Sequence, residues 1–288
     1  MTENLPLVSI ITPSFNQGQF IERTILSVLK QTYPRIEYII LDNLSTDGTE
    51  RILQKYASRV SAIVREKDEG QSDCLNKGFK MSQGQIMAYL NADDALAGPH
   101  IVADAVTELM GYEVDVIYGR RYRIDENGFF LDAYPFREFD SEQLRQFNII
   151  PQECSFWTRG IYDRAGAFVN KDLHFSMDYE MWLRFLRHGA RFKALDTVYG
   201  YFRWHDEQKS QVIWREVCLP EVAKIQTEYV GRATKPSDME YLHESYYYGA
   251  DRITHGHTIA LALWHTQVHA SRGFFADTPL DQWVYSSK

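Results

Sequence analysis

Apolar runs alternate with helical patterns along about the first 120 residues, the signature of a parallel sheet whose strands are joined by crossover helices. Leu7-Val8-Ser9-Ile10-Ile11-Thr12 is rich in β-branched residues and stops at Pro13, which predicts a buried strand. Ile21, Ile25, Val28 and Leu29 then recur at helical spacing, ending before Pro34. Ile36 to Leu41 predicts a second strand that delivers Asp42 at its carboxyl end. In Asp47-Gly48-Thr49-Glu50 a capping residue is followed three positions later by Glu, a helix start leading into Ile52, Leu53 and Tyr56. Val60 to Val64 reads as a strand, and Ser72 as the cap of a helix carrying Cys74, Leu75 and Phe79. Ile86 to Leu90 predicts a fourth strand running straight into Asn91-Ala92-Asp93-Asp94. A helix over Ile101 to Met110 and a strand over Val114 to Tyr118 complete a unit of ordinary domain size.

After Gly119 the rhythm loosens into aromatic-rich segments and turns such as Glu126-Asn127-Gly128. Asp178 to Leu186 reads as a short amphipathic helix and Thr197 to Phe202 as a strand. From about Gln211 the pattern is helical, through Trp214, Val217, Val222 and Ile225 and again from Met239 to about Ala270. No internal repeat or low-complexity tract interrupts it.

The 44% hydrophobic and 14% aromatic content over 288 residues excludes a mostly unstructured or fibrous chain. A net charge of -8 argues against an extended nucleic-acid-binding surface, though not against a local basic pocket. No stretch approaches the roughly 18 consecutive apolar residues of a membrane span, and Met1 to Pro6 lacks the basic-then-apolar order of a signal peptide. A cytoplasmic protein is expected, with room for peripheral contact at the inner membrane face. Cys74, Cys154 and Cys218 are odd in number and widely spaced, so buried free thiols are expected rather than a disulfide framework or a zinc site.

In open α/β sheets ligands sit beyond the carboxyl ends of the strands. Asp42, Asp68 and Asp93-Asp94 each follow an apolar run, and in a parallel sheet their loops open on one edge. A single such Asp is as readily a turn or cap residue; three together point to a site. Adjacent carboxylates repel unless a cation or shared proton relieves them, and hard oxygen ligands suit Mg²⁺ or Mn²⁺, which also bind phosphate oxygens.

Val8 to Asn16, Leu41 to Thr49, Glu66 to Asp73 with Asn76-Lys77-Gly78, and Leu90 to Asp94 together resemble, in order and spacing, the family 2 glycosyltransferases of GT-A fold. The resemblance covers roughly residues 7 to 206. It implies an α/β, Rossmann-like, mostly parallel sheet flanked by helices over 1–210, with a nucleotide-binding half (1–120) and an acceptor-side half (121–210); the helical pattern beyond it predicts a helical C-terminal extension over 211–288. It also implies that Thr12, Pro13, Ser14, Asn16 and Asp42 contact the nucleotide base, usually uracil, with Asp68 by the base or ribose. Asn76, Lys77, Asn91 and Asp93 join the nucleotide set. Asp94 is expected to ligate Mn²⁺ or Mg²⁺ directly, and Asp93 to take the ribose or share the metal. Asn43-Leu44 stands where the family has small or acidic residues, and Asn91 where Asp is frequent.

The segment His174 to Arg184 is similar to the family stretch whose Asp, here Asp178, is the catalytic base of inverting transfer, taking the acceptor hydroxyl proton. Glu180, two residues on, should face away from it. Trp182 and Phe185 read as core. Ile150 to Trp157 resembles the acceptor-side lining, which makes Gln152, Glu153 and Trp157 candidates for sugar contact. Phe202-Arg203-Trp204-His205 with Gln208-Lys209-Ser210 resembles a segment closing over the donor. There His205 is a candidate metal or phosphate ligand, and Arg203 and Lys209 are candidate phosphate partners.

The implied activity is inverting, metal-dependent transfer from a nucleotide-sugar, a UDP-hexose or UDP-N-acetylhexosamine, to a saccharide or lipid-linked saccharide acceptor in polysaccharide biosynthesis. A nucleotidyltransferase would want a basic loop near the N-terminus, and Thr12 to Gly18 holds no Lys or Arg. A catalytically silent nucleotide-sugar-binding module would not need Asp178. His255, His257, His265 and His269 resemble a metal cluster but fit a packed helix better, and Tyr241 to Tyr248 with Trp264 could form an acceptor wall, a membrane face or a dimer contact.

Overall fold

The structure is a computed structural model, and it describes residues 5–133, 136–206, 208–209, 213–239, 241 and 279–285. Ser210, the later tyrosines of Tyr241 to Tyr248, Trp264, the four C-terminal histidines and most of the helix expected over Met239 to Ala270 lie outside the described residues.

Four strands run parallel as the apolar runs predict: β1 (Val8–Ser14), β2 (Ile36–Asp42), β3 (Ala62–Arg65) and β4 (Ile86–Tyr89). Three helices link them, α1 (Ile21–Leu29), α2 (Thr49–Tyr56) and α3 (Gln71–Met81). The chain continues through β5 (Ala95–Leu96), α4 (Ile101–Gly111), β6 (Val116–Ile124), β7 (Phe130–Ala133), α5 (Ser141–Gln146), β8 (Ser155–Thr158), α6 (Arg159–Arg164), α7 (Met177–Arg187), β9 (Phe192–Arg203) and α8 (Leu219–Val230). The sheet order is β3-β2-β1-β4-β8-β6-β9-β5, with β7 on β6. Strand β8 pairs antiparallel with β4 and β6, and β5 antiparallel with β9. The second half therefore turns the parallel sheet of the first into a mixed one.

The alternation along each strand builds a core on both faces. Val8, Ile10, Tyr38, Ile40, Ile86 and Ala88 pack with α1 and α4 through Ile21, Ile25, Val102 and Leu109. The intervening Ile11, Ile39, Leu41, Met87 and Tyr89 face the opposite way, onto Leu75 and Phe79 of α3 and Trp182 and Phe185 of α7. Residues one apart on a strand point to opposite faces, so these apolar runs are buried on both sides. Cys218, Val222 and Ile225 join the α7 side, so the described start of the C-terminal extension shares this core. Cys74, Cys154 and Cys218 are buried free thiols, as expected.

Two expected helix caps take other roles. Helix α2 begins after Gly48, with Asp47 Oδ1 accepting from the Thr49 amide and hydroxyl, while Glu50 pairs with Arg65 instead of turning back to the cap. Helix α3 begins after Gly70, and the Ser72 hydroxyl donates across the core to the Leu173 carbonyl. Gly70 sits at φ +111°, a conformation side chains disfavour, and its amide donates to Asp68 Oδ1 at 2.9 Å.

Candidate active site

The loops after β1, β2, β3 and β4 open on one sheet edge because those strands are parallel. Asp42 closes β2 and is buried, so its charge must be met nearby. Arg65 Nε donates to Asp42 Oδ2 at 2.9 Å, and Ser45 donates to both carboxylate oxygens, through its amide at 3.1 Å and through its hydroxyl. Ser45 Oγ in turn accepts the Asn16 amide at 2.8 Å, and Asn16 Oδ1 accepts the Thr46 amide at 3.0 Å. Asn16 takes φ +51° and Leu44 φ +54°, so this edge is held in uncommon backbone conformations. Asn43 Oδ1 accepts the Asp68 amide at 3.0 Å, adding the β3–α3 loop to the same framework. Pro13 lies in register with Leu41, and Ser14 is buried with no partner for its hydroxyl among the described residues.

Three of the residues expected to contact the nucleotide are engaged within the protein. Thr12 is fully buried, its hydroxyl 3.0 Å from that of Tyr38. Asn76 ties α3 to the loop before α7 by donating to the Val169 carbonyl and accepting the Val169 amide. Lys77 is spent on Glu66, Asp73 and the Lys67 carbonyl.

The acidic pair is placed by the short strand that follows it. Ala95 faces Tyr201 and Leu96 faces Gly200, so continuing the antiparallel register two residues sets Asp93 opposite Arg203, with His205 just beyond. His205 Nε2 lies 3.1 Å from Asp93 Oδ2. Asp94 is buried, and its Oδ1 accepts the Arg203 amide at 3.1 Å. Burial, followed by the charges of Asp93 and Glu153, pushes the Asp94 carboxyl well above the usual carboxylate range. Asp93 is the more open of the two carboxylates and the one beside His205. Asn91 bridges the site, accepting from Gln71 at 2.8 Å and facing Asp94 Oδ2 and Gln152 Oε1 at 3.5 and 3.4 Å.

Asp178 sits in the first turn of α7. Asn148 Nδ2 donates to Asp178 Oδ2 at 2.9 Å, and Asn148 Oδ1 accepts the Ile150 amide, which fixes the amide's orientation. Desolvation pushes the Asp178 carboxyl up to about 6, while the Tyr179 amide, Asn148 and Arg121 pull it down. The charges of Asp178, Glu153 and Asp94 all bear on the Tyr89 hydroxyl, and Arg121 bears on both Asp178 and Asp94, so Asp178 and Asp94 occupy one neighbourhood. Glu180 faces away as expected, buried against Arg184 and bonded to Tyr229.

On the acceptor side, Glu153 is held bidentate by Arg121 at 2.5 and 2.6 Å, and Gln152 donates to the Tyr89 carbonyl at 2.5 Å. Trp157 is fully buried against Phe79, Tyr89, Trp182 and Phe185, which makes it core and removes it from any acceptor wall. Arg203 is also fully buried and every nitrogen of its side chain is hydrogen-bonded within the protein, so it is no phosphate partner. Lys209 Nζ bridges Gln71 Oε1 at 2.8 Å and the His174 carbonyl at 3.2 Å, joining the α3 side to the α7 side. Sequence reading missed Arg121, Asn148 and Glu221.

The family model for glycosyl transferase family 2 matches residues 9–184. The chain belongs to that family. Among curated relatives, this glycosyltransferase is 44% identical over 237 residues, 75% of its length and 90% of the relative's, to a Bacillus subtilis glycosyltransferase, TuaG, named for teichuronic acid biosynthesis. Among solved structures it superposes on Staphylococcus aureus TarS 1–349 in complex with UDP-GlcNAc with a TM-score of 0.64 at 16% identity, covering 89% of this chain and 75% of that one. It also superposes on the mannosyltransferase PcManGT from Pyrobaculum calidifontis in complex with GDP-Man and Mn²⁺, with a TM-score of 0.61 at 18% identity, covering 99% and 84%. At those identities the structures share the GT-A fold with this family 2 glycosyltransferase. Among its described residues no helix is long and apolar enough to cross a membrane.

Proposed function

We propose that this glycosyltransferase moves a hexose or N-acetylhexosamine, with inversion, from a UDP-linked donor to a saccharide or lipid-linked saccharide acceptor during surface polysaccharide assembly. The observation that carries the reading is Asp93 beside His205, with the neighbouring Asp94 and Asp178 both close enough for their charges to bear on the Tyr89 hydroxyl. The similarity to TuaG supports a role in polysaccharide assembly, and the TarS complex with UDP-GlcNAc and the mannosyltransferase complex with GDP-Man support a nucleotide-sugar donor.

A divalent cation fits the residues present. Among the described residues no three His, Cys, Asp or Glu side chains gather into a closed cage, but Mg²⁺ and Mn²⁺ commonly take one or two protein ligands and complete their shell with water and substrate phosphates. Asp93 and His205 would hold the ion, with buried Asp94 behind them. When bound, it would offset the charge developing on the departing diphosphate.

The chain's own residues do the rest. Ser14, with its unpaired buried hydroxyl, and the Asn16–Ser45–Asp42 framework line the edge where a base would lie, with Phe15 and Leu44 exposing apolar surface beside it. Asp178 takes the acceptor proton; a carboxyl near 6 is ionised at neutral pH yet a stronger base than an ordinary Asp. Glu153, fixed by Arg121, and Gln152 stand by the same neighbourhood as candidates for sugar hydroxyls.

Calorimetric titration with UDP and GDP, each with and without Mn²⁺, tests this reading. Tighter binding of UDP in the presence of Mn²⁺ is expected. Nucleotide binding indifferent to the metal, or its absence altogether, would overturn it.

A further inference from the structure

Arg203 ends β9 and has no solvent exposure. A buried guanidinium needs both a counter-charge and acceptors for its N–H groups. Its Nε donates to the Asp93 carbonyl at 2.9 Å, and Nη1 to the carbonyls of Asp125 and Glu126 at 3.1 and 3.3 Å. The counter-charge comes from Asp281, to whose Oδ2 Nη2 donates. Asp281 is equally buried and belongs to a 3₁₀ segment, Leu280–Tyr285, near the end of the chain.

That segment is seated specifically. The Leu280 amide donates to the Gly128 carbonyl at 2.8 Å, and Arg23 Nη1 lies 3.6 Å from the same Asp281 oxygen. Gly128 has φ +96°, and a Cβ there would run into Asp281 Oδ1, so only glycine leaves room for the carboxylate. Asp281 Oδ1 has no hydrogen-bond partner among the described residues. The carboxylate is thus directed at Arg203 and is not shared out among local amides.

We propose that Asp281 is a positioning residue for the acidic pair: by neutralising Arg203 from the C-terminal end of the chain, it fixes the guanidinium that holds the Asp93 carbonyl and thereby keeps Asp93 facing His205. Arg203 touches both members of the pair, Asp93 through its side chain and Asp94 through its backbone amide. Deprived of Asp281, the buried guanidinium loses its counter-charge and is no longer fixed against the Asp93 carbonyl, so Asp93 loses the hold that sets it beside His205. The inference rests on the metal-binding role proposed for Asp93 and His205. It adds that a residue 78 positions from Arg203 in sequence governs that role.

The experiment is calorimetric titration of the full chain with UDP, with and without Mn²⁺, for the wild type, Asp281→Asn, Gly128→Ala and Leu109→Ala. Leu109 packs from α4 into the core and controls for lost stability alone. Asp281→Asn is expected to weaken Mn²⁺-dependent UDP binding about tenfold, the scale of lost outer-shell support for a metal ligand, while metal-free UDP binding stays unchanged. Gly128→Ala, which displaces the carboxylate without removing it, is expected to act in the same direction. Leu109→Ala should lower the melting temperature and leave both affinities intact. Wild-type Mn²⁺-dependent affinity in Asp281→Asn, or an equal loss in Leu109→Ala, would overturn the proposal. Should Asp281→Asn not fold, unchanged affinity in Gly128→Ala overturns it alone. A wild type that binds UDP without regard to Mn²⁺ would instead defeat the functional reading beneath it.

Discussion

His205 Nε2 and Asp93 Oδ2 lie 3.1 Å apart although 112 residues separate them in sequence, and the register of a two-residue strand brings them together. An imidazole that shares a cation with Asp93 should matter only when the cation is present. His205→Ala is therefore expected to weaken Mn²⁺-dependent UDP binding about tenfold or more and to leave metal-free UDP binding nearly unchanged. Equal affinity with Mn²⁺ in wild type and variant, measured by calorimetry, would reduce His205 to a packing partner of Phe20, whose ring centroid is 4.7 Å away.

Asp178 predicts a pH profile. Its carboxyl is raised to about 6 and must be ionised to accept a proton, so turnover should rise as pH increases through about 6 and level off near neutrality. Asn148 donates to the ionised form and so holds the value down. Asn148→Leu removes that donor, and the acid limb of kcat should move to higher pH; a limb that stayed in place would detach Asn148 from the base. The sign for stability is opposite to that of an ion-paired Asp. The folded state binds the proton more tightly than the unfolded chain, so this group's contribution to stability falls as pH rises from about 4 to about 6.

Much of this site could be read from the sequence because its parts are local. A β-branched run, a breaker and an Asp at the run's end suffice to place Asp42, Asp68 and Asp93-Asp94 on one edge, and the parallel pairing of β1 to β4 follows from the alternation with helices. What escaped depends on contacts no local pattern records. Strand β5 is two residues long, too short for any period to show, yet it decides that Asp93 and not Asp94 faces His205. Trp157 is an acceptor-side candidate only through the resemblance of its segment, and no local pattern records that Trp182 and Phe185 from α7 bury it completely. Arg203 looked like a phosphate partner until Asp281, supplied from the other end of the chain, accounted for its charge.

Glu221 offers the last test, because it links α8 to the segment that leads into Asp178. From the first turn of α8 its carboxylate accepts the amides of His174, Phe175 and Ser176, at 2.6, 3.0 and 2.7 Å, just before α7 presents Asp178. Three amides converge on one carboxylate there, and negative charge suits the amino end of a helix. Removing the acceptor leaves three amides to find water or go unpaired, so Glu221→Ala should cost about 1–3 kcal/mol of stability by denaturant unfolding. Asp178 would also lose its fixed approach to the acceptor. Since displacements on the order of 1 Å in a catalytic group are costly, kcat should fall about tenfold or more while donor binding, built on the far loops, is retained. Glu221→Gln keeps one accepting oxygen and should fall between. A Glu221→Ala enzyme that is less stable but turns over normally when folded would show that the clamp serves only the fold.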